Sequence, residues 1–262
     1  MHKLKTFISY FKDFIKFGEY RYILTSAKYI LLHKTTSKSR IYRSSLGTFL
    51  VRKGTLDFQF ANHAYEWNVK QFVLKHYQDY DVFLDIGANM GTYSILLAGL
   101  GKKAYAFEPL VSNYNAIRIN LILNNLEDQV KTYNLALGDV KQKAEFAFDK
   151  TNTGASHKVG VSLEMYPEDQ EEIFQAQIVP LDEMMDELNI DKKTKVFMKI
   201  DVEGMEEQVL LGAKEFIKTH PNLMIVMESV HSGKEKLSQV LNTIAPFDIL
   251  EVDDLNMGAQ RK

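Results

Sequence analysis

The sequence predicts an α/β fold, a doubly wound and mostly parallel sheet preceded by an N-terminal helical and β extension. Three observations point there. From residue 81 onward, short apolar runs alternate with helical patterns, the signature of parallel strands joined by crossover helices. The first of these runs, Asp81 to Ile86, passes directly into a glycine-framed turn, Gly87 to Gly91. Carboxylates then recur where successive apolar runs end, at Asp85, Glu108, Asp201 and Glu228, and ligands of open α/β sheets bind beyond those strand ends.

The elements follow in order. Leu4, Phe7, Ile8, Phe11, Phe14 and Ile15 recur at steps of three and four, one face of an amphipathic helix flanked by lysines. A second helix is expected near 20–32, then a polar break at Lys34 to Ser39. Ile41–Tyr42, Thr48–Arg52 and Leu56–Phe60, punctuated by Gly47 and Gly54, read as short strands or a hairpin. Residues 64–76 read as a helix. Strands are expected at Val82–Leu84, Lys103–Phe107, Val130–Ala136, Val196–Ile200, Leu223–Met227 and Phe247–Val252. Helices are expected from about Thr92, over 111–125, after Gly204 and after Gly233. Residues 149–162, rich in Thr, Asn, Gly and Ser, read as a long loop.

The composition is that of a globular chain, 45% hydrophobic and 25% charged with 5 Pro. Cysteine is absent. That excludes disulfides, thiolate nucleophiles and iron–sulfur clusters, leaving oxygen and nitrogen groups or a bound cofactor to do any chemistry. No apolar run is long and uninterrupted enough to span a membrane, and Lys12, Asp13 and Lys16 break any signal-peptide core; a cytoplasmic, optionally membrane-associated location is expected. Charge is uneven. Residues 1–43 hold ten basic residues against Asp13 and Glu19, a net +8, so the remainder carries −10. The sequence therefore divides into a basic helical arm, 1–43, and an acidic domain, 44–262. The acidic domain is ill-suited to nucleic acid. The arm either lies on an anionic membrane surface or glycolipid, or is a helix that covers the substrate cleft or packs on the sheet edge.

The turn Asp85-Ile-Gly-Ala-Asn-Met-Gly91 lacks the three-glycine pattern of a dinucleotide site, and Asp85 would repel a pyrophosphate. An acid there suits a cationic ligand without phosphates. Glu108, ending the next strand, is placed to accept hydrogen bonds from ribose hydroxyls. A sulfonium nucleoside bearing an amino acid, S-adenosylmethionine, meets both demands; a nicotinamide dinucleotide does not.

These runs, with Ala106-Phe-Glu-Pro109, Ala136-Leu-Gly-Asp139 and above all Lys199-Ile-Asp-Val-Glu-Gly204, resemble the FkbM-type methyltransferases over roughly residues 46–252. The resemblance implies the seven-stranded Rossmann-like methyltransferase sheet, and methyl transfer from S-adenosylmethionine to a hydroxyl of a sugar, glycolipid or related product. By the same resemblance Asp85, Gly87 and Asn89 line the methionine part, within a loop that includes Ala88 and Gly91. Glu108 holds the ribose, Asp139 sits near the adenine, and Asp201 borders the cofactor. With only about ten residues after Val252, the seventh strand is expected to be short or missing.

Methyl transfer to oxygen needs an aligned acceptor and a destination for its proton, either a side-chain base or a metal. Asp201, Glu203 and Glu228 end adjacent strands and are the catalytic candidates, with His157 of the polar loop; His231, three residues past Glu228, is a further possible base. Asp201 and Glu228 could hold Mg²⁺. Glu203 has a structural alternative, a helix cap or a pair with Lys199. An N-methyltransferase acting on an amino sugar or small amine, and a non-catalytic cofactor-binding protein, are the competing readings.

Overall fold

The computed structural model describes residues 11–12, 14–160 and 171–262, with only the backbone of Arg21. The helix expected over 4–15 lies largely outside them. The central sheet has seven strands in the order β12-β13-β11-β10-β3-β4-β5. Its parallel members are β3 (Val82–Ile86), β4 (Lys103–Phe107), β5 (Val130–Tyr133), β10 (Val196–Ile200) and β11 (Leu223–Glu228). β3 and β10 are buried throughout, which is why they are written as unbroken apolar runs rather than alternations. Helices α4 (Thr92–Gly99), α5 (Val111–Asn124), α7 (Glu206–Leu211), α8 (Lys214–Thr219) and α9 (Lys234–Ile244) connect them. Two apolar clusters, one carrying Phe83, Leu97 and Ile117 and the other Leu84, Met198 and Leu210, form the core.

The seventh strand is present, contrary to the sequence expectation. β13 (Asn256–Arg261) inserts antiparallel between β11 and β12 (Phe247–Glu251). It reads Asn-Met-Gly-Ala-Gln-Arg, without the β-branched and aromatic residues that mark strands. Small residues are required there, because a Cβ on Gly258 would stand 2.6 Å from the Phe72 ring.

A second, four-stranded sheet, β6-β9-β7-β8, is also present, and its edge strand β8 lies within the stretch expected to be a long loop. β7 (Gln142–Asp149) pairs antiparallel with β9 (Glu171–Val179), β6 (Ala136–Leu137) pairs parallel with β9, and β8 (His157–Lys158) closes the edge. The expected strand Val130–Ala136 is therefore two strands in two sheets. The chain crosses between them at Asn134, whose amide donates to the carbonyls of Glu108 and Pro109.

At the N-terminal side, α1 (Tyr20–Leu32) precedes the hairpin β1 (Arg40–Ser44) and β2 (Gly47–Val51). Leu56–Phe60 is not a strand: Asp57–Phe60 forms a turn of helix, α2, and α3 (Trp67–His76) follows. Asp57 is fully buried and accepts from the Arg52 backbone at 2.9 Å and from its guanidinium at 2.7 and 2.8 Å. That pairing turns the chain where a third strand would have continued. Arg52 also donates to Asn113 and Thr153, tying the 151–155 segment to β2. Phe14 and Tyr22 belong to the core that also contains Phe49 and Val51, so α1 packs on the main body.

Candidate active site

Asp85 is the penultimate residue of β3 and fully buried. Its Oδ2 accepts from the Ser94 N–H at 3.0 Å and hydroxyl at 2.6 Å, anchoring the start of α4; its Oδ1 has no partner. Burial pushes this carboxyl up, while Lys199 pulls it back down. Gly87 has φ +81, and a Cβ on it would stand 1.7 Å from the Asp201 carbonyl, so only glycine fits. Asn89 is also left-handed, at φ 51, which presents its N–H to Glu108 Oε2 at 2.8 Å. Glu108 Oε1 accepts from Leu110 N–H at 2.9 Å. Burial raises the Glu108 carboxyl to about 8, against these hydrogen bonds and the pull of Arg52.

Two adjoining cavities open beyond these strand ends. The larger, about 160 Å³, is bordered by Asp85, Ala88, Lys199, Glu228 and His231, and on its other wall by Phe60, Tyr65, Glu66, Lys70 and Tyr93. The smaller, about 30 Å³, is bordered by Phe107, Glu108, Pro109, Ala136 and Leu137. Gly87, Asn89, Gly154, Asp201 and Glu203 border both.

Charge in the larger cavity is strongly paired. Lys199 Nζ lies 2.7 Å from Asp201 Oδ2 and 4.8 Å from the centre of the Tyr93 ring. Burial alone would favour the neutral amine, but Asp201, Glu66 and Asp85 hold Lys199 protonated. Lys70 Nζ faces the same Tyr93 ring at 5.1 Å and donates to the Tyr65 carbonyl; burial lowers it to about 8, with Glu66 opposing. The Tyr93 hydroxyl donates to Glu66 at 2.9 Å.

At the far rim, Glu203 takes φ 50, uncommon for a residue with a Cβ, and Gly204 follows at φ 94. This turn puts Glu203 Oε2 3.2 Å from His231 Nε2, with Glu228 Oε2 4.0 Å from the same nitrogen. Glu203 and Glu228 are both driven up by burial and by neighbouring carboxylates, and His231 is raised by its hydrogen bond to Glu203.

The structure thus brings together Asp85, Gly87, Ala88, Asn89, Glu108, Asp201, Glu203 and Glu228. Three other expected residues fall elsewhere. Gly91 packs against Ile117 on α5 and borders neither cavity. Asp139 is exposed, and the residues before it, Ala136 and Leu137, take the cavity position instead. His157 is buried in the second sheet, 3.3 Å from the Ala155 carbonyl and 3.8 Å from Glu171, and borders neither cavity, although its neighbours Gly154 and Ser156 do.

Glu203 caps no helix and does not pair with Lys199; Asp201 does. The sequence pattern gave no sign of the wall contributed by Lys70 and Tyr93. Among the described residues, the one group spaced to hold a metal ion is Glu203, Glu228 and His231. Asp201, expected as a ligand, is engaged by Lys199 and lies outside that group. The set does not suit Mg²⁺, which takes oxygen ligands, whereas one of these three donors is imidazole.

A family model described as the methyltransferase FkbM domain matches residues 85–255. No curated protein matches the chain. Among solved structures, the chain is similar to methyltransferase FkbM from Methylobacillus flagellatus KT, with 19% identity, TM-score 0.48, and coverage of 70% of this chain and 44% of that one. It spans less than half of that relative's length. It is also similar to the SAM-dependent methyltransferase from Agrobacterium tumefaciens, with 9% identity, TM-score 0.50, and coverage of 88% and 72%. With the matched region covering well over half of the chain and all four expected strand-end carboxylates bordering the site, the chain belongs to the FkbM methyltransferase domain family.

Proposed function

We propose that this chain transfers the methyl group of S-adenosylmethionine to a hydroxyl of a saccharide or lipid-linked saccharide. The cofactor supplies an activated methyl group on a cationic sulfur. The residues present suit it. Asp85 offers an unpartnered carboxylate oxygen for an ammonium group, Lys70 offers a buried ammonium group for a carboxylate, and Glu108 offers acceptors for ribose hydroxyls.

The observation that carries the hydroxyl reading is the contact between His231 and Glu203 at 3.2 Å. A hydroxyl keeps its proton until attack, so the site must take it. With Nε2–H donating to the Glu203 carboxylate, Nδ1 becomes the basic nitrogen of His231, and Glu203 stabilises the imidazolium that forms. Glu228, held protonated by burial and its acidic neighbours, can donate to an adjacent acceptor oxygen. Phe60 and Tyr65 give the cavity an aromatic wall against which a sugar ring can pack. Lys199 and Asp201 neutralise each other and hold the floor between the cavities.

Incubation with methyl-labelled S-adenosylmethionine and cell-envelope glycan fractions tests this reading. Label recovered in a methyl ether supports it. Label recovered only in an N-methyl amine, or no transfer to any glycan, contradicts it.

A further inference from the structure

The most exposed large apolar side chains among the described residues are Leu31, Leu24, Ile41, Tyr20 and Leu32, at 75, 74, 62, 61 and 61%. Four of the five lie in α1, and Ile41 lies in β1. Tyr20, Leu24 and Leu31 stand four and seven residues apart and so share one helix face. Tyr22, Ser26 and Tyr29, four and three residues apart, share the opposite face, where Tyr22 and Ser26 are buried. The helix therefore has two apolar faces, of which the body covers one.

The outer face is set in positive charge. Lys28, Lys34, Lys38, Arg40 and Arg43 are exposed, and none forms a salt bridge among the described residues. Glu19 is turned inward, with its carboxylate on Ser45. No helix among the described residues is long and apolar enough to cross a membrane.

We propose that the outer face of α1 docks on an anionic phospholipid surface. Exposed leucines and a tyrosine flanked by lysine and arginine match an acyl-headgroup boundary with negative charge above it. A second copy of the chain fits less well, because a symmetric contact would bring two arms of net +8 together. The docked helix bears on the active site. The Tyr22 hydroxyl donates to the Ala61 carbonyl at 3.2 Å, the Tyr29 ring packs 6.3 Å from that of Phe58, and Phe60 between them borders the larger cavity. The helix that seats on lipid with its outer face thus backs, with its inner face, the segment that carries one cavity wall. The docking itself does not depend on the acceptor being a saccharide.

Co-sedimentation of the full chain with vesicles of equimolar phosphatidylglycerol and phosphatidylcholine, and with phosphatidylcholine alone, provides the test. The wild type should pellet with the anionic vesicles, remain in solution with the neutral ones, and be released by salt. The double variant Leu24→Glu with Leu31→Glu should bind at least about tenfold more weakly. Lys28→Glu with Lys34→Glu, which leaves the apolar face intact, should weaken binding by a similar factor. Both pairs are exposed, so the variants should melt like the wild type. Failure of the wild type to bind anionic vesicles overturns the proposal, as does wild-type binding by both variants. Conversion of a vesicle-free dimer into a monomer by the leucine variant would assign the face to a second copy instead.

Discussion

Replacing Glu203 by Gln keeps the side chain's size and its strained backbone while removing the charge that faces His231. The pair is nearly enclosed, with side chains 15% and 13% exposed, and the contact is 3.2 Å. A charge-assisted hydrogen bond in such a setting contributes about 1.5–3 kcal/mol, and one pKa unit corresponds to about 1.36 kcal/mol. The imidazole should thus become less basic, since the hydrogen bond to Glu203 that raises it is weakened and burial, which lowers it, is no longer opposed by that charge. The sign follows directly. His231 holds its proton above the ordinary imidazole range, so a rate that needs the unprotonated ring rises with pH through that raised value. In Glu203→Gln the rise should move to lower pH, while the plateau falls roughly three- to tenfold because the base is weaker. Single-turnover methyl transfer across the pH range reads both quantities. An unmoved midpoint, or one displaced to higher pH, would refute His231 as the base.

Removing the base outright with His231→Ala should lower the transfer rate by about 10²–10⁴-fold with little change in cofactor affinity, measured by single-turnover assay and calorimetry. Asp201→Asn should both slow transfer and destabilise the fold. It strips the counter-ion from a buried Lys199, although partial exposure of Asp201 limits the loss to roughly 1–3 kcal/mol by denaturant unfolding. Tyr22→Ala should cost about 3–5 kcal/mol of stability in the same measurement, because the ring is buried against the body. An unchanged unfolding midpoint would show that the arm is independent of the core.

The parts of the site legible in the sequence are those fixed by strand ends. Asp85, Glu108, Asp201 and Glu228 each close or follow an apolar run, and a parallel sheet aligns such ends whatever the rest of the chain does. Residues brought in from other directions were harder to read. Lys70 and Tyr93 sit in helices whose patterns look like ordinary packing, and only the tertiary fold shows that both face a cavity. His231 needed the left-handed turn at Glu203 to acquire its partner. His157 and Asp139 lie away from the cavities because of the second sheet: His157 is held in its edge strand β8, and Asp139 stands in the exposed bend that leads into β7. β13 was hidden because packing under Phe72 demands residues too small to carry a strand signal. The exposed apolar face of α1 was also illegible, since helical periodicity reveals an amphipathic stripe but not that two faces are apolar and only one is covered.

Calorimetric titration of the wild type and Glu108→Gln with S-adenosylmethionine and with NAD, repeated from pH 6 to pH 9, tests the cofactor assignment on which the account rests. Burial raises Glu108 to about 8, and its ionised form is the better acceptor for ribose hydroxyls. Relative to Glu108→Gln, the wild type should therefore bind S-adenosylmethionine more tightly as pH rises through that value, the comparison cancelling the opposite effect of Lys70, which burial lowers to about 8; the wild type should not bind NAD. Glu108→Gln should bind about ten- to hundredfold more weakly than the ionised wild type, without that pH dependence. Binding of NAD in place of S-adenosylmethionine, or equal affinity of wild type and variant at every pH, would contradict the account.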